Sequence, residues 1–242
     1  AVDLGNGSAG VLILDTSRNT IGGTTGDARN VISGNGGDGV QIYGSGARDT
    51  ALVDDQTLEQ AGQLVDPDGD CQIVLDQRIV TITVPGTGHD LSAEIGIVNA
   101  PRVLQPVDGD FIAEVTVSGT VRPAGESTIP GRIPFNGTGI LLWEDAANYV
   151  RFERAAYIRD GNLVNYVLFE ARVDGQVGAS RTVGVFPDQP TVLRLTRQGD
   201  HLLAILNQGI AFWVALQPML VQFPTAMQVG VAAVNSASEP FT

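Results

Sequence analysis

An all-β sandwich or barrel is the fold class this sequence predicts, and three observations predict it. Apolar and polar residues alternate over many short segments, Pro at 85, 101, 106, 123, 130, 134, 187, 190, 218 and 224 punctuates the chain, and no window carries a helical period. The chain has 242 residues, 43% of them hydrophobic and 17% charged. That fits one large domain or a small one joined to a larger one, with enough apolar material for a sizeable core.

Composition changes near residue 50. Residues 1–50 hold 12 of the 30 Gly and none of the 12 Pro. A junction is expected at Gly46-Ala47-Arg48-Asp49-Thr50, which divides the chain into 1–50 and 51–242. The first part repeats itself. Gly5-Asn6-Gly7 through Val11-Leu12-Ile13 recurs as Gly34-Asn35-Gly36 through Val40-Gln41-Ile42, an offset of 29 residues. Inside it, Arg18-Asn19-Thr20-Ile21 recurs as Arg29-Asn30-Val31-Ile32. Short β-branched runs with Gly or Asn corners suit a coiled ribbon of very short strands, because those residues take left-handed corners. The segment resembles the right-handed parallel β-helix repeats of bacterial surface proteins. A Gly-rich flexible leader is the alternative. Two turns bury too little to stand alone, so on the repeat reading this is the end of a longer solenoid or a cap on the domain that follows.

The second part supplies the strands in order: Ile73–Leu75, Val80–Val84, Phe111–Ser118, Gly139–Trp143, Tyr149–Tyr157, Val164–Val173, Thr182–Phe186, Val192–Arg197, Leu202–Leu206 and Val229–Val234. A series of motifs runs through them: Pro85-Gly86-Thr87-Gly88-His89-Asp90-Leu91, Asn99-Ala100-Pro101-Arg102, Gly109-Asp110-Phe111, Gly139-Ile140-Leu141-Leu142-Trp143-Glu144-Asp145 and Asn148-Tyr149-Val150-Arg151-Phe152-Glu153. From about Val65 onward this series resembles a bacterial family of concanavalin-A-like lectin/glucanase jelly rolls with no settled activity. The resemblance implies an antiparallel jelly-roll sandwich with one concave sheet, which is the usual ligand side. That family adds one more strand after a Ser-Glu-Pro-Phe step, here Ser238-Glu239-Pro240-Phe241.

Turn chemistry sets one register. Asp160-Gly161 is a strong type I′ signal, flanked by Arg159 and Asn162. Tyr149 then faces Arg172, Arg151 faces Glu170, Glu153 faces Leu168 and Ala155 faces Tyr166. One sheet face therefore gathers Tyr149, Arg151, Glu153, Tyr157, Tyr166, Glu170 and Arg172. The other pairs Val150 with Ala171 and Phe152 with Phe169, which is core. Arg154 falls on that apolar face and is expected at a strand end with its head in solvent. Flat rings that cover sugar C–H faces, beside Arg and carboxylate forks that take paired hydroxyls, make the polar face a candidate glycan site. A solvated face with cross-strand ion pairs such as Arg151–Glu170 is the alternative.

Charge and composition exclude other classes. All 14 basic residues are Arg against 27 acidic ones, a net charge of −13. That opposes binding to nucleic acid or to an anionic membrane. Without Lys there is no Schiff-base or P-loop chemistry. One Cys, Cys71, excludes an intrachain disulfide and a thiolate cluster. No apolar run approaches about 18 residues, so no membrane span is expected. No signal-type apolar stretch follows Ala1, which suggests a cytosolic fragment or a processed product. Glu153 and Glu170 are diagonal neighbours that a retaining glycosidase or a lyase would need close together. The Glu-x-Asp-x-x-Glu strand of the fold's glucanases is absent, however, and Arg151 should keep Glu170 ionised. No Gly-x-Ser-x-Gly occurs. His89 and His201 sit in turns and are expected at the surface, with Asp90 capping backbone N–H groups. Cys71 is expected to be a buried, inert thiol. Asp66-Pro67-Asp68-Gly69-Asp70 places three carboxylates on a tight loop, a candidate Ca²⁺ site that departs from the EF-hand because Gly falls fourth and the bidentate Glu is missing.

The function expected on these grounds is non-catalytic binding of a polysaccharide or surface glycan by an extracellular or cell-surface protein. A structural module that self-associates or stacks on neighbouring domains is the second expectation, and a hydrolase using Glu153 and Glu170 the third.

Overall fold

The computed structural model describes residues 62–76, 79–209 and 213–242, together with four short strands before them. The chain divides into two compact units, Ala1–Thr57 and Leu58–Thr242. In the first, β1 (Val11–Leu14) runs parallel to β3 (Val40–Tyr43) with Val11 opposite Val40, and β2 (Thr20–Gly22) runs parallel to β4 (Ala51–Val53). The first pairing has the same 29-residue spacing as the sequence repeat. The Gly/Asn corners at 5–7, 29–32 and 34–36, and with them the coiled-ribbon expectation for 1–50, lie outside the described residues.

The second unit is an antiparallel two-sheet sandwich. It begins with β5 (Gln63–Val65), the hairpin β6 (Gln72–Asp76) and β7 (Ile79–Thr83), and the short pair β8 (Leu91–Ser92) and β9 (Ile97–Val98) around a 3₁₀ turn at Ala93–Ile95. Then come β10 (Arg102–Asp108), β11 (Phe111–Val117), β12 (Phe135–Trp143), β13 (Tyr149–Arg159), β14 (Asn162–Val173) and β15 (Gln176–Gly184). β16 (Thr191–Gln198), β17 (His201–Asn207), β18 (Val214–Ala215), β19 (Met219–Leu220) and β20 (Ala226–Asn235) complete it. One sheet has seven strands in the order β15-β14-β13-β12-β20-β10-β5, and the other is β11-β16-β17-β18 with β19 also on β17.

Local chemistry explains the long hairpin. Asp160 and Gly161 both take positive φ, 52° and 76°, as a type I′ turn requires. The register follows: Tyr149 opposite Arg172, Arg151 opposite Glu170, Glu153 opposite Leu168 and Ala155 opposite Tyr166. A second Asp-Gly turn, Asp174-Gly175 at φ 50° and 75°, returns β14 into β15. β15 starts at Gln176, earlier than the alternation over Thr182–Phe186 suggests. β10 is absent from the sequence-predicted strands because Pro106 interrupts it. Among the described residues, β5 pairs only with Arg102–Leu104, and Pro106 falls beyond that stretch, opposite Gln228 of β20.

Phe152 and Phe169 are fully buried between the sheets, ring edge to ring face at 5.6 Å, with Leu193 and Leu195 from the second sheet against them. Arg154 corrects an expectation. It lies on this inner side with no exposed surface, and its guanidinium donates to the Gly119 carbonyl at 3.0 Å and to the Pro187 carbonyl. Two loop carbonyls at the rim of the sandwich replace the solvent its head was expected to reach. A second apolar cluster, with Leu91, Leu104, Leu141, Trp143 and Tyr149, occupies the outer face of the seven-stranded sheet.

Candidate functional site

The outer face of β13 and β14 carries the predicted polar residues together, but most of it is covered. Every residue from Tyr149 to Ala156 is buried. The cover is the segment after the Pro85–His89 turn. Leu91 offers its carbonyl to Arg151 Nη1 at 2.8 Å, and the Ala93 N–H donates to the Tyr149 hydroxyl at 3.3 Å. Tyr149 is fully enclosed, stacked on Trp143 at 5.5 Å, with the Arg102 guanidinium 4.4 Å over the far ring. The expectation of an open face at Tyr149, Arg151, Glu153 and Arg172 is therefore corrected: a segment 56 to 60 residues away in sequence packs on it.

The charges there form a network. Arg151 grips Glu153 through Nη2 at 2.5 Å and Nε at 3.3 Å, and lies 3.7 Å from Asp90 and 4.0 Å from Glu170. Arg172 Nη1 is 2.8 Å from Glu170, and its other side meets Glu94 at 3.1 Å. Arg132 closes on Glu94 at 2.6 Å. Burial opposes the charge on Arg151, yet Glu153 and Asp90 override it and hold the guanidinium well above its ordinary pKa. Burial pushes the Glu153 carboxyl up despite Arg151, and raises the Tyr149 and Tyr166 phenols. Against its partial burial, Glu94 is held below 4.5 by its own N–H, Arg132 and Arg172. The stability linked to Glu94 is thus complete above 4.5 and lost as pH falls through the lower folded value. Thermal midpoints should therefore fall less steeply on acidification in Glu94→Gln than in the parent protein.

Beyond the covered part the face opens into a cavity of about 520 Å³. Tyr157 and Tyr166, half-buried and 5.5 Å apart with planes tilted by 60°, form one side. Val164 and Leu168 add apolar wall, while Arg151, Glu170, Arg172 and Arg132 add charge. Asn165 also borders the cavity, but its place in β14 beside Val167 and Phe169 turns its side chain to the inner side of the sheet, and Arg172 Nη1 touches Glu170 without hydrogen-bond alignment. Of the two candidate catalytic carboxylates only Glu170 lines the cavity, whereas Glu153 sits behind Arg151. Glu94, Arg132 and Asn165 were not singled out in the sequence. Glu94 and Arg132 lie in connecting segments without a strand period, and Asn165 carries no local motif.

The acidic loop lies elsewhere in the same unit. Asp66 accepts the Cys71 N–H at 2.9 Å, Asp68 accepts Asn99 Nδ2 at 2.5 Å, and Asp70 accepts the Thr87 hydroxyl at 3.1 Å. Each carboxylate thus has its own partner. His89 corrects a second expectation: it is 1% exposed, with Nε2 2.8 Å from Asp70, whereas His201 is exposed. Reciprocal backbone bonds with Asn235, both 2.8 Å, tie His89 to the end of β20, an interior strand of the sheet. Asp90 caps as expected, accepting the Leu91 N–H at 2.7 Å and the Ser92 hydroxyl at 2.6 Å. Cys71 is half-buried. Burial first, then Asp66 and Asp70, push its thiol up to about 12, so it is no nucleophile at neutral pH.

No protein-family profile and no curated protein matches this chain. Among solved structures, a functionally unknown protein from Saccharomyces cerevisiae is similar at 15% identity and a TM-score of 0.53, over 76% of this chain and 90% of that one. A legume lectin-like domain from Entamoeba histolytica aligns at 12% identity and a TM-score of 0.47, over 73% of this chain and 82% of its own. The carbohydrate binding module CBM66 from Bacillus subtilis aligns at 13% and 0.41, over 75% and 97%. At such identities the likeness is one of fold: an all-β, two-sheet sandwich of the jelly-roll kind.

Proposed function

We propose that the second unit binds a neutral glycan, without cleaving it, in the cavity beside Tyr157 and Tyr166. The observation that carries this reading is the cavity itself. Its volume of about 520 Å³ lies within the ~300–1,000 Å³ of small-molecule sites. Two tyrosine rings and an aliphatic wall suit the C–H faces of a sugar. The guanidiniums of Arg151, Arg172 and Arg132 are already answered by Glu153, Glu170 and Glu94, so no net cationic centre is left for an anion. The Arg132 and Arg172 guanidiniums and the Glu170 carboxylate that line the cavity supply donors and an acceptor for hydroxyl groups, which both donate and accept. Cleavage by paired carboxylates is disfavoured because Glu153 is held behind Arg151 and does not line the cavity.

Calorimetry with soluble β-glucans, xylans and their oligosaccharides, beside a reducing-sugar assay, tests this. Binding without product is expected, and Tyr166→Ala should weaken it by about tenfold, equivalent to about 1.4 kcal/mol. A folded protein that binds none of these sugars overturns the reading and favours a structural module. Product formation that is lost in both Glu153→Gln and Glu170→Gln overturns it in favour of a hydrolase.

A further inference from the structure

We propose that Asp70, Cys71 and His89 form a site for a divalent transition metal of the zinc class. Their donor atoms, a carboxylate oxygen, a thiol sulfur and an imidazole nitrogen, all lie within 4.8 Å of one another. Asp70 Oδ1 is 2.8 Å from His89 Nε2 and 3.7 Å from Cys71 Sγ. Mixed nitrogen, sulfur and oxygen donors suit a borderline-soft ion such as Zn²⁺, whereas Ca²⁺ takes six to eight oxygens.

His89 is the independent indication. Its ring is 1% exposed, and its own backbone N–H and carbonyl are both bonded to the Asn235 backbone, so the imidazole is held in place. Buried polar atoms are ordinarily satisfied, yet Nδ1 has no hydrogen-bond partner. Nδ1 faces Asp68 Oδ2 at 3.9 Å. When Nε2 ligates the ion, the ring proton resides on Nδ1, on the side of Asp68. A metal-bound histidine that presents its other N–H to a carboxylate is the usual supporting arrangement. Asp66 adds a second buried, unpartnered oxygen on Oδ1 while its Oδ2 fixes the Cys71 N–H. Among the described residues, no arginine forms an ion pair with Asp66, Asp68 or Asp70. The Asp70 side chain is 40% exposed, which leaves a fourth position open to water. The balance of the binding step is one ion in and one proton out. Cys71 Sγ loses its proton to solvent as the metal–sulfur bond forms, and the imidazole proton moves from Nε2 to Nδ1.

The test uses the whole chain, stripped with chelator and titrated with Zn²⁺, Co²⁺ and Ca²⁺. One Zn²⁺ per chain is expected, with about one proton released in calorimetry across buffers of different ionisation heat. Co²⁺ should give a thiolate-to-cobalt charge-transfer band in the near ultraviolet. Cys71→Ser, at a partly exposed position, should fold normally, lose that band and weaken Zn²⁺ binding by more than about tenfold. His89→Gln should do the same where it folds, and the Co²⁺ spectrum of the unmutated protein decides the matter where it does not. No Zn²⁺ binding, a Co²⁺ complex without the thiolate band, or unchanged affinity in Cys71→Ser overturns the proposal. So does a preference for Ca²⁺, which would assign the loop to Asp66, Asp68 and Asp70 as an oxygen site.

Discussion

Arg151→Ala is expected to cost the second unit about 3–5 kcal/mol, the range for removing one partner from a buried ion pair. The size comes from what is left behind. Arg151 is 5% exposed and faces three carboxylates, Glu153, Asp90 and Glu170, besides the Leu91 carbonyl. Without the guanidinium these acids crowd one another out of water, and burial already pushes Glu153 up. The pH dependence follows with a definite sign. A carboxyl whose folded pKa lies above its unfolded one makes the folded state bind more protons, so stability rises as pH falls through that interval. The deficit of Arg151→Ala should therefore shrink as urea denaturation is repeated from neutral pH toward about pH 5. Glu153→Gln should cost less, because Arg151 keeps Asp90 and Glu170. A loss below about 1 kcal/mol in Arg151→Ala would mean that the network behaves like a solvated surface cluster.

Phe169→Ala should cost about 3–5 kcal/mol, and Tyr149→Ala a comparable amount. Both side chains have no exposed surface. Phe169 packs edge to face with Phe152 inside the sandwich, and Tyr149 stacks on Trp143 outside it. Tyr149→Phe removes only the hydroxyl that accepts the Ala93 N–H at 3.3 Å, so about 0.5–1.5 kcal/mol is expected. Tyr166, half-buried on the cavity, should cost less than either when truncated. Chemical denaturation of the four variants ranks them. Tyr149→Ala behaving like Tyr166→Ala would show that the segment from Leu91 to Ile95 does not hold its place on the sheet.

Strand alternation, Pro punctuation and Asp-Gly turns are local properties, and they were legible. The two-sheet class follows from the first two, and the β13–β14 register from Asp160-Gly161, whose positive φ pair sets every partner down to Tyr149 and Arg172. The sharing of one face by Tyr149, Arg151, Tyr166 and Glu170 follows from that register because side chains alternate along a strand. β10 was hidden because Pro106 breaks the pattern, and its place in the sheet comes from pairing with the distant β20 along Arg102–Asp108.

The sequence by itself thus determined the class, the main hairpin and which residues point the same way. What lies on top of them was decided only by the tertiary structure. The outer face is closed by Leu91, Ala93 and Glu94, which reach Arg151, Tyr149 and Arg172 across separations of 60, 56 and 78 residues. His89 meets Asp70 across 19 residues, and Arg154 finds Pro187 across 33. Periodicity reports which side of a strand a residue occupies, but it carries no information about which distant segment arrives there. That arrival separates a buried charge network from an open binding face, because it removes the water that would otherwise solvate the charges.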